Sequence, residues 1–363
     1  MDKEELILEY LKENPFISQQ QLAKKINLSR SSVANYIAEL TRKGYIKGRA
    51  YIFPENDMIT CIGAINLDIK ANAIDDIRYY SSNPVTMSST YGGVARNVTE
   101  NLSLLGNSVS LLSVVGNDKG GQIIIDDLKR KGVDVSLIEI VPEGRTGTYT
   151  ALLDLSGEMV IALADMEINK ELTPTIIEEN WPKFAISKAI FLDTNAPADT
   201  IDYVIKRCHE ENITLFIDTV SSLKAKRLPE NLNGIEVLLP NLEELEELSG
   251  MKIRGEQDYM PAAHLVIKRG VKNIAVTLGE KGIFYITQTS SGKILPYPTK
   301  IVDVTGAGDA LTAGIISSLM KGHDFKLACK YGLAAASIAL QSDASVASGL
   351  NFEKLTLVIK ENE

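Results

Sequence analysis

Ten consecutive residues, Asp303-Val304-Thr305-Gly306-Ala307-Gly308-Asp309-Ala310-Leu311-Thr312, join a small-residue turn to a carboxylate and then to an apolar helical pattern. Glycines let a backbone approach an oxyanion closely, and a helix N-terminus offers free N–H groups and partial positive charge. An aspartate on the same turn can take a proton from a hydroxyl. An anion hole made by Gly306, Ala307 and Gly308 beside a base, Asp309, is what phosphoryl transfer from ATP requires. An ordinary strand–turn–helix with a capping aspartate carries the same letters, so the remaining residues have to decide.

Three other groups bear on that chemistry. The apolar run Met58–Ile65 predicts a buried strand, and Asn66 and Asp68 follow it, where open α/β sheets bind ligands and where both side chains suit sugar hydroxyls. Tyr91-Gly92-Gly93-Val94-Ala95-Arg96-Asn97 leads into a helix. Its double glycine permits close approach of a small polyol, and Asn97 offers both a donor and an acceptor. Asn241 and Glu244, three apart at a helix start, can hold Mg²⁺ through water with phosphate as the other ligand, or form an N-cap before a solvated acidic face. Thr277 and Gly279, in the turn before a hairpin, suit the ribose or phosphates of a nucleotide.

Short apolar runs alternate with helical patterns to position these groups. The runs include VSLLSVVG, LIEIV, AIFLD (189–193), TLFIDTV (214–220), VLLPN (237–241) and NIAVTLGEKGIFYIT. Helices are predicted near 118–132, 198–210, after Asn241 and over 257–269, with the Asp309 segment and two closing helices at the end. This rhythm argues an α/β fold, a parallel sheet with helices on both faces. Residues 69–90 and 146–165 hold strand-like pairs outside the rhythm and predict a small β lid.

The first 53 residues read separately. Leu6, Ile7, Tyr10 and Leu11 mark one helix. Ser18 caps a second with Leu22, Ala23 and Ile26 inward. Ser29 caps a third with Val33, Ile37 and Leu40 inward and Arg30, Ser31, Ser32, Asn35 and Tyr36 outward. A hairpin is expected over 45–53 and a linker over 54–57, before a second, larger domain over 58–363. Three helices and a hairpin resemble a winged helix-turn-helix, whose outward face would meet double-stranded DNA.

Net charge is −9, yet residues 18–50 carry seven Lys/Arg against one acid, a basic segment on an acidic protein. The chain is 45% apolar and 23% charged, the composition of a globular protein. Three scattered cysteines, a charged helical start and the lack of a long apolar run predict a cytoplasmic protein without membrane or disulfides.

Over about 58–350 the order and spacing of these motifs resemble the ribokinase-like (PfkB) carbohydrate kinases. The resemblance implies a three-layer sandwich. It implies Asp309 as the base and Gly306–Gly308 as the anion hole. Asn66, Asp68, Gly92, Gly93 and Asn97 would then grip the substrate, and Asn241, Glu244, Thr277 and Gly279 would organise Mg²⁺-ATP. It also implies a monovalent cation, usually K⁺, near Asp303, Thr305, Ala339, Ser342, Ala344 and Ser348, and a homodimer. Val304 stands where the family often has Thr. Ser82–Val85, Ser88–Asn97, Thr148–Ala151, Asp165-Met166 and Asp218–Ser221 with Lys224 resemble pseudouridine kinases more than ribokinases. The expected reaction is therefore phosphorylation of the 5′-hydroxyl of pseudouridine. Ribose, another nucleoside or a hexose phosphate stands as an alternative acceptor, and a transcription regulator that senses its ligand with a kinase-like domain stands as an alternative role. Lys70 and Arg78 are the only basic residues in 69–90, which favours an uncharged substrate.

Overall fold

The computed structural model describes residues 3–13, 17–42, 57–185 and 187–362. The chain divides into two compact units, Met1–Glu55 and Asn56–Glu363.

In the first unit, α1 (Lys3–Glu13), α2 (Gln19–Lys25) and α3 (Arg30–Arg42) enclose a core of Ile7, Leu22, Ala23, Ile26, Val33 and Leu40. Ser18 and Gln21 form a reciprocal capping box, and Ser29 Oγ accepts from Ser32 N at 3.0 Å. Asn27 adopts φ 54°, as the tight α2–α3 turn requires. Arg30, Ser31 and Asn35 are exposed as expected, but Ser32 and Tyr36 are half-buried. Tyr36 lies three residues after Val33 and four before Leu40, on the inward stripe, and packs on the core. The expected hairpin lies outside the described residues.

The second unit opens with β1 (Ile59–Ile62), β2 (Asn66–Ala73), β3 (Val85–Gly92), α4 (Val94–Leu104), β4 (Val109–Gly116) and α5 (Lys119–Arg130). It continues through β5 (Ile138–Val141), β6 (Gly147–Leu153), β7 (Met159–Asp165), α6 (Pro174–Phe184), β8 (Ala189–Asp193) and α7 (Ala198–Glu211). Then follow β9 (Thr214–Asp218), α8 (Ser222–Ala225), β10 (Ile235–Leu239), α9 (Leu242–Ser249), α10 (Tyr259–Ile267) and β11 (Asn273–Thr277). It closes with β12 (Ile283–Ile286), β13 (Ser291–Ile294), α11 (Ala307–Met320), α12 (Phe325–Ala339) and α13 (Phe352–Glu361).

Nine strands form one sheet in the order β13-β12-β11-β10-β9-β8-β1-β4-β5, parallel from β11 to β5, with β12 and β13 antiparallel at one edge. Buried parallel strands show both faces to apolar layers, which explains their uninterrupted apolar runs. Successive side chains alternate between the layers. Cys61, Phe191 and Phe216 join the core shared with α4, α5, α11, α12 and α13. Ile62, Ile190, Leu192 and Ile217 join the core shared with α6, α7, α9 and α10. The result is the three-layer sandwich that was expected.

The second sheet, β3-β2-β6-β7, is the small β lid. It differs from expectation at one point: Asn66 and Asp68 belong to β2 itself rather than to a loop after β1. The β1 run therefore ends at Ile62, and three residues carry the chain from the main sheet to the lid. Helix α6 and strand β13 were not anticipated. Pro174 and Pro182 obscure the first, although Thr173 caps it and proline is favoured in a first helical turn. The second is the short polar segment Ser-Gly-Lys-Ile.

One buried carboxylate ties the layers together. Asp193, at the end of β8, accepts from the backbone N–H groups of Ala64 (3.1 Å), Ala95 (2.9 Å) and Asn195 (2.9 Å). The β1–β2 turn, the start of α4 and the turn after β8 thus share one acceptor. Asp193→Asn would aim an amide donor at donors. A destabilisation of about 1–3 kcal/mol is expected, seen as a lower urea midpoint with an unchanged slope.

Candidate active site

The parallel strands end along one edge, and the polar groups of interest collect there. Asp193 and Asp218 are paired neighbours at the ends of β8 and β9. Asn241 follows β10, and Thr277 ends β11. Asn241 and Thr277 form a parallel bridge of their own, with Thr277 N donating to Pro240 O at 2.9 Å. Gly279 follows with φ 58°, its Cα facing open space.

Asp309 lies in the first turn of α11, behind Gly306, whose φ is 78°. A Cβ on Gly306 would lie 1.9 Å from Ser345 O, so only glycine fits. A Cβ on Gly308 would meet nothing within 4 Å. No side chain among the described residues accepts from the N–H groups of Ala307, Gly308 or Asp309. Ala307 N donates to Val304 O at 3.4 Å, so the open space beside Gly308 and the Gly308 and Asp309 N–H groups are what this turn offers an anion.

Asn97 Nδ2 donates to Asp309 Oδ2 at 2.8 Å. Asp309 is half-buried, and loss of water raises its carboxyl to about 7; Asp193 and Asp68 push the same way, while Asn97 and Arg96 oppose. Asp218 is pushed well above the carboxylate range, first by burial and then by Asp309, with Glu244 and Asp193 adding to it. Asp218 accepts from Val220 N (2.8 Å) and from Thr312 Oγ1 (3.2 Å). Val220 itself sits at φ 58°, an unusual conformation for a β-branched residue.

The lid contributes one face of β2. Asn66 Nδ2 donates to Asp68 Oδ1 at 2.6 Å. Asn66 pairs with Gly92 across the ladder, and a Cβ on Gly92 would lie 2.2 Å from Asp68 Oδ2 and 2.8 Å from Asn66 Nδ2. Gly93, at φ 100°, turns the chain from β3 into α4. Burial raises the Asp68 carboxyl, and Asn66, Arg96 and Lys70 oppose that. Lys70, two residues further along the same face, reaches Asp303 Oδ2 at 3.5 Å, so this face looks toward the α11 turn.

Asn241 and Glu244 form a full capping box: Asn241 N to Glu244 Oε2 (2.9 Å), Asn241 Nδ2 to Oε1 (2.8 Å), and Glu244 N to Asn241 Oδ1 (2.9 Å). Thr219 Oγ1 also donates to Glu244. Glu244 is buried and its carboxyl raised, chiefly by loss of water. Asp303 accepts from Thr305 N (2.8 Å) and Oγ1 (2.7 Å). Val302 N to Leu340 O (2.7 Å) and the Gly306–Ser345 approach set this turn against the 340–345 loop. There the Ala339 carbonyl accepts from Ser342 N, and Ser342 Oγ from Ala344 N (3.1 Å). The described contacts give Ser348 no part in this group.

Sequence reasoning gave no role to Asp193 or Arg96. The signal for the first was present, since AIFLD and TLFID both end an apolar run in a carboxylate.

Residues 56–350 match the family model described as pfkB family carbohydrate kinase. The chain belongs to that family. Residues 2–47 match a model described as winged helix-turn-helix DNA-binding. The uncharacterized sugar kinase YeiI of Escherichia coli strain K12 is 34% identical over 344 residues, 94% of each chain, so the likeness extends into the first unit. The pseudouridine kinase of the same organism is 32% identical and covers 85% of this chain and 98% of its own length. The structure of Arabidopsis thaliana ribokinase complexed with ribose and ATP superposes with a TM-score of 0.78 at 22% identity, covering 84% of this chain and 99% of that one. This pfkB member is a phosphotransferase acting on a hydroxyl group of a sugar or nucleoside. No helix among the described residues is long and apolar enough to cross a membrane.

The two turn glycines should respond differently to alanine. Gly306→Ala should lower the melting temperature, because it meets both a positive φ and the Ser345 carbonyl. Gly308→Ala should keep or slightly raise it, since helix propensity adds up to about 1 kcal/mol of stability, while cutting kcat at least tenfold. Thermal melts and steady-state rates on both variants check this.

Proposed function

We propose that the protein transfers the γ-phosphoryl group of ATP to the 5′-hydroxyl of a nucleoside, pseudouridine being the favoured acceptor. The observation that carries this reading is the meeting of Asp309, Asn97 and the uncapped start of α11 under the Asn66/Asp68 face of the lid. A ribose-like acceptor gripped by Asn66, Asp68 and Asn97, and lying along Gly92-Gly93, would bring one hydroxyl to Asp309. The carboxylate takes that proton as the oxygen attacks phosphorus. The N–H groups at Gly306, Ala307 and Gly308 receive the charge spread over the phosphoryl oxygens. The 32% identity to a pseudouridine kinase over nearly all of that protein, and a lid with few basic residues, favour an uncharged nucleoside.

The donor chemistry suits a divalent ion. Asp218, Glu244 and Asp309 crowd one another electrostatically, and positive charge relieves that. Both Glu244 oxygens already accept hydrogen bonds, so Asn241 and Glu244 would hold Mg²⁺ through water, with Thr277 and Gly279 beside the nucleotide. Bound there with ATP, Mg²⁺ supplies neutralisation of phosphate charge. The Asp303–Thr305 turn, with Ala339 at the end of α12 and Ser342 and Ala344 in the loop after it, is the proposed K⁺ site. The domain assignment (1–53, a 54–57 linker, 58–363) and a homodimer belong to the same reading. So does a cytoplasmic setting, supported by three buried free cysteines.

Asp309 acts only when ionised. With its carboxyl near 7, kcat/KM should be flat above neutrality and fall tenfold per unit below it; a flat profile from pH 5.5 to 8 contradicts the assignment. Asp309→Asn should lower kcat by about 10²–10⁴-fold with little change in nucleoside binding. ADP release should be fastest with pseudouridine among pseudouridine, uridine, inosine and ribose, and a higher kcat/KM for any other displaces it as substrate.

For the first unit we propose double-stranded DNA as the partner, through Arg30, Ser31, Ser32, Asn35 and Tyr36. Fluorescence anisotropy with duplexes from around the gene should show affinity that falls steeply with salt and weakens for Arg30→Ala/Asn35→Ala. Binding to no duplex at any salt refutes it.

A further inference from the structure

The buried guanidinium of Arg96 is not used by the reaction as described, and its contacts lead to the base. Arg96 is 3% exposed in the first turn of α4. Its Nη1 donates to Asn97 Oδ1 at 2.9 Å and to the Tyr91 carbonyl at 3.1 Å. Its Nη2 pairs with Glu100 and with Asp127 Oδ2 at 3.3 Å. The guanidinium also lies over the Tyr91 ring, 5.6 Å from its centre. Lys131 backs the same carboxylates, 2.6 Å from Glu100 and 2.9 Å from Asp127.

An asparagine amide has a donor end and an acceptor end, whereas a guanidinium can only donate. With Arg96 against one end of the Asn97 amide, that end has to be the oxygen. The nitrogen then faces Asp309. A flipped amide would set oxygen against the carboxylate, an arrangement that suits the protonated acid and not the base. We infer that Arg96 is a positioning residue for phosphoryl transfer: it fixes the orientation of the Asn97 amide so that Asp309 is met by a donor, and it anchors the lid strand to the same point through the Tyr91 carbonyl. The inference rests on Asp309 being the base.

The groups facing Asp309 come from several elements: Asp68 on β2, Asp193 on β8, Asp218 on β9, and Asn97 and Arg96 on α4. The three aspartates favour its protonation. Asn97 and Arg96 favour ionisation, and removing Arg96 weakens both.

The test is the pH profile of kcat/KM for the purified full-length protein with ATP and the best nucleoside acceptor. Arg96→Met should move the acid limb upward by about one unit, a roughly ninefold loss at pH 6 against about twofold at pH 8, with nucleoside KM at pH 8 within about threefold. Because Arg96→Met leaves Glu100 and Asp127 short of a cation, Arg96→Met/Glu100→Gln supplies a charge-balanced second variant, and circular dichroism melts identify the folded ones. Arg96→Lys should move the limb in the same direction by less, since an ammonium lacks the planar fork that serves Asn97 and the carboxylates together. An acid limb that stays at the wild-type position in every folded variant, or a loss uniform across pH, overturns the inference. Asp309→Asn separates the two readings. If it retains turnover, the base assignment fails. If it is inactive while the limb is unmoved in the Arg96 variants, only the role of Arg96 fails.

Discussion

Five carboxylates, Asp68, Asp193, Asp218, Glu244 and Asp309, gather at one poorly hydrated edge of the sheet, and their mutual repulsion is the constraint around which the second unit is arranged. Each is answered locally. Backbone N–H groups of three segments meet Asp193, Asn66 meets Asp68, Asn97 meets Asp309, Asn241 and Thr219 meet Glu244, and Val220 and Thr312 meet Asp218. These are neutral or backbone donors. They satisfy the oxygens without cancelling the charge, so the edge keeps a negative excess that a metal–nucleotide complex can relieve. Arg96 faces the group from within the fold, its own charge largely committed to Glu100 and Asp127, and half-buried Lys224 faces Asp193 from the α8 side.

The architecture follows from that need for donors. Parallel strands all end on one side, so their terminal residues and the helix starts beyond them converge without long loops. Helix α11 adds its first-turn N–H groups at the same place. The lid has to approach this edge closely while remaining connected to the main sheet, and it does so through short links at Gly63–Ile65 and Gly93. Unusual backbone occurs at the rim, with Val220 in the left-handed region beside Asp218 and Gly306 against the Ser345 carbonyl.

Much of this could be read from the chain. Apolar runs of four to eight residues marked the strands because both of their faces are buried, and the Thr305–Asp309 turn stood out because small residues and a carboxylate have few other reasons to coincide. What stayed hidden depends on distant pairing. Asn66 and Asp68 looked like a loop because a strand that leaves one sheet for another has no local signature. Asp193 gains its meaning only from Ala64 and Ala95, one strand and one helix away. Tyr36 was assigned outward by its polarity, although its spacing from Val33 and Leu40 puts it inward. The Asn241/Glu244 pair permitted two readings, a cap or a metal-phosphate site. The capping box is present, and its hydrogen bonds hold the carboxylate in a fixed position at the strand end.

The Gly92 contact constrains how such a chain can change over generations. A Cβ at 92 would overlap the present positions of the Asp68 carboxylate and the Asn66 amide, so a larger residue there requires those two side chains to shift. Positions 66, 68 and 92 are therefore coupled: a side chain gained at 92 takes the space in which Asn66 and Asp68 now meet.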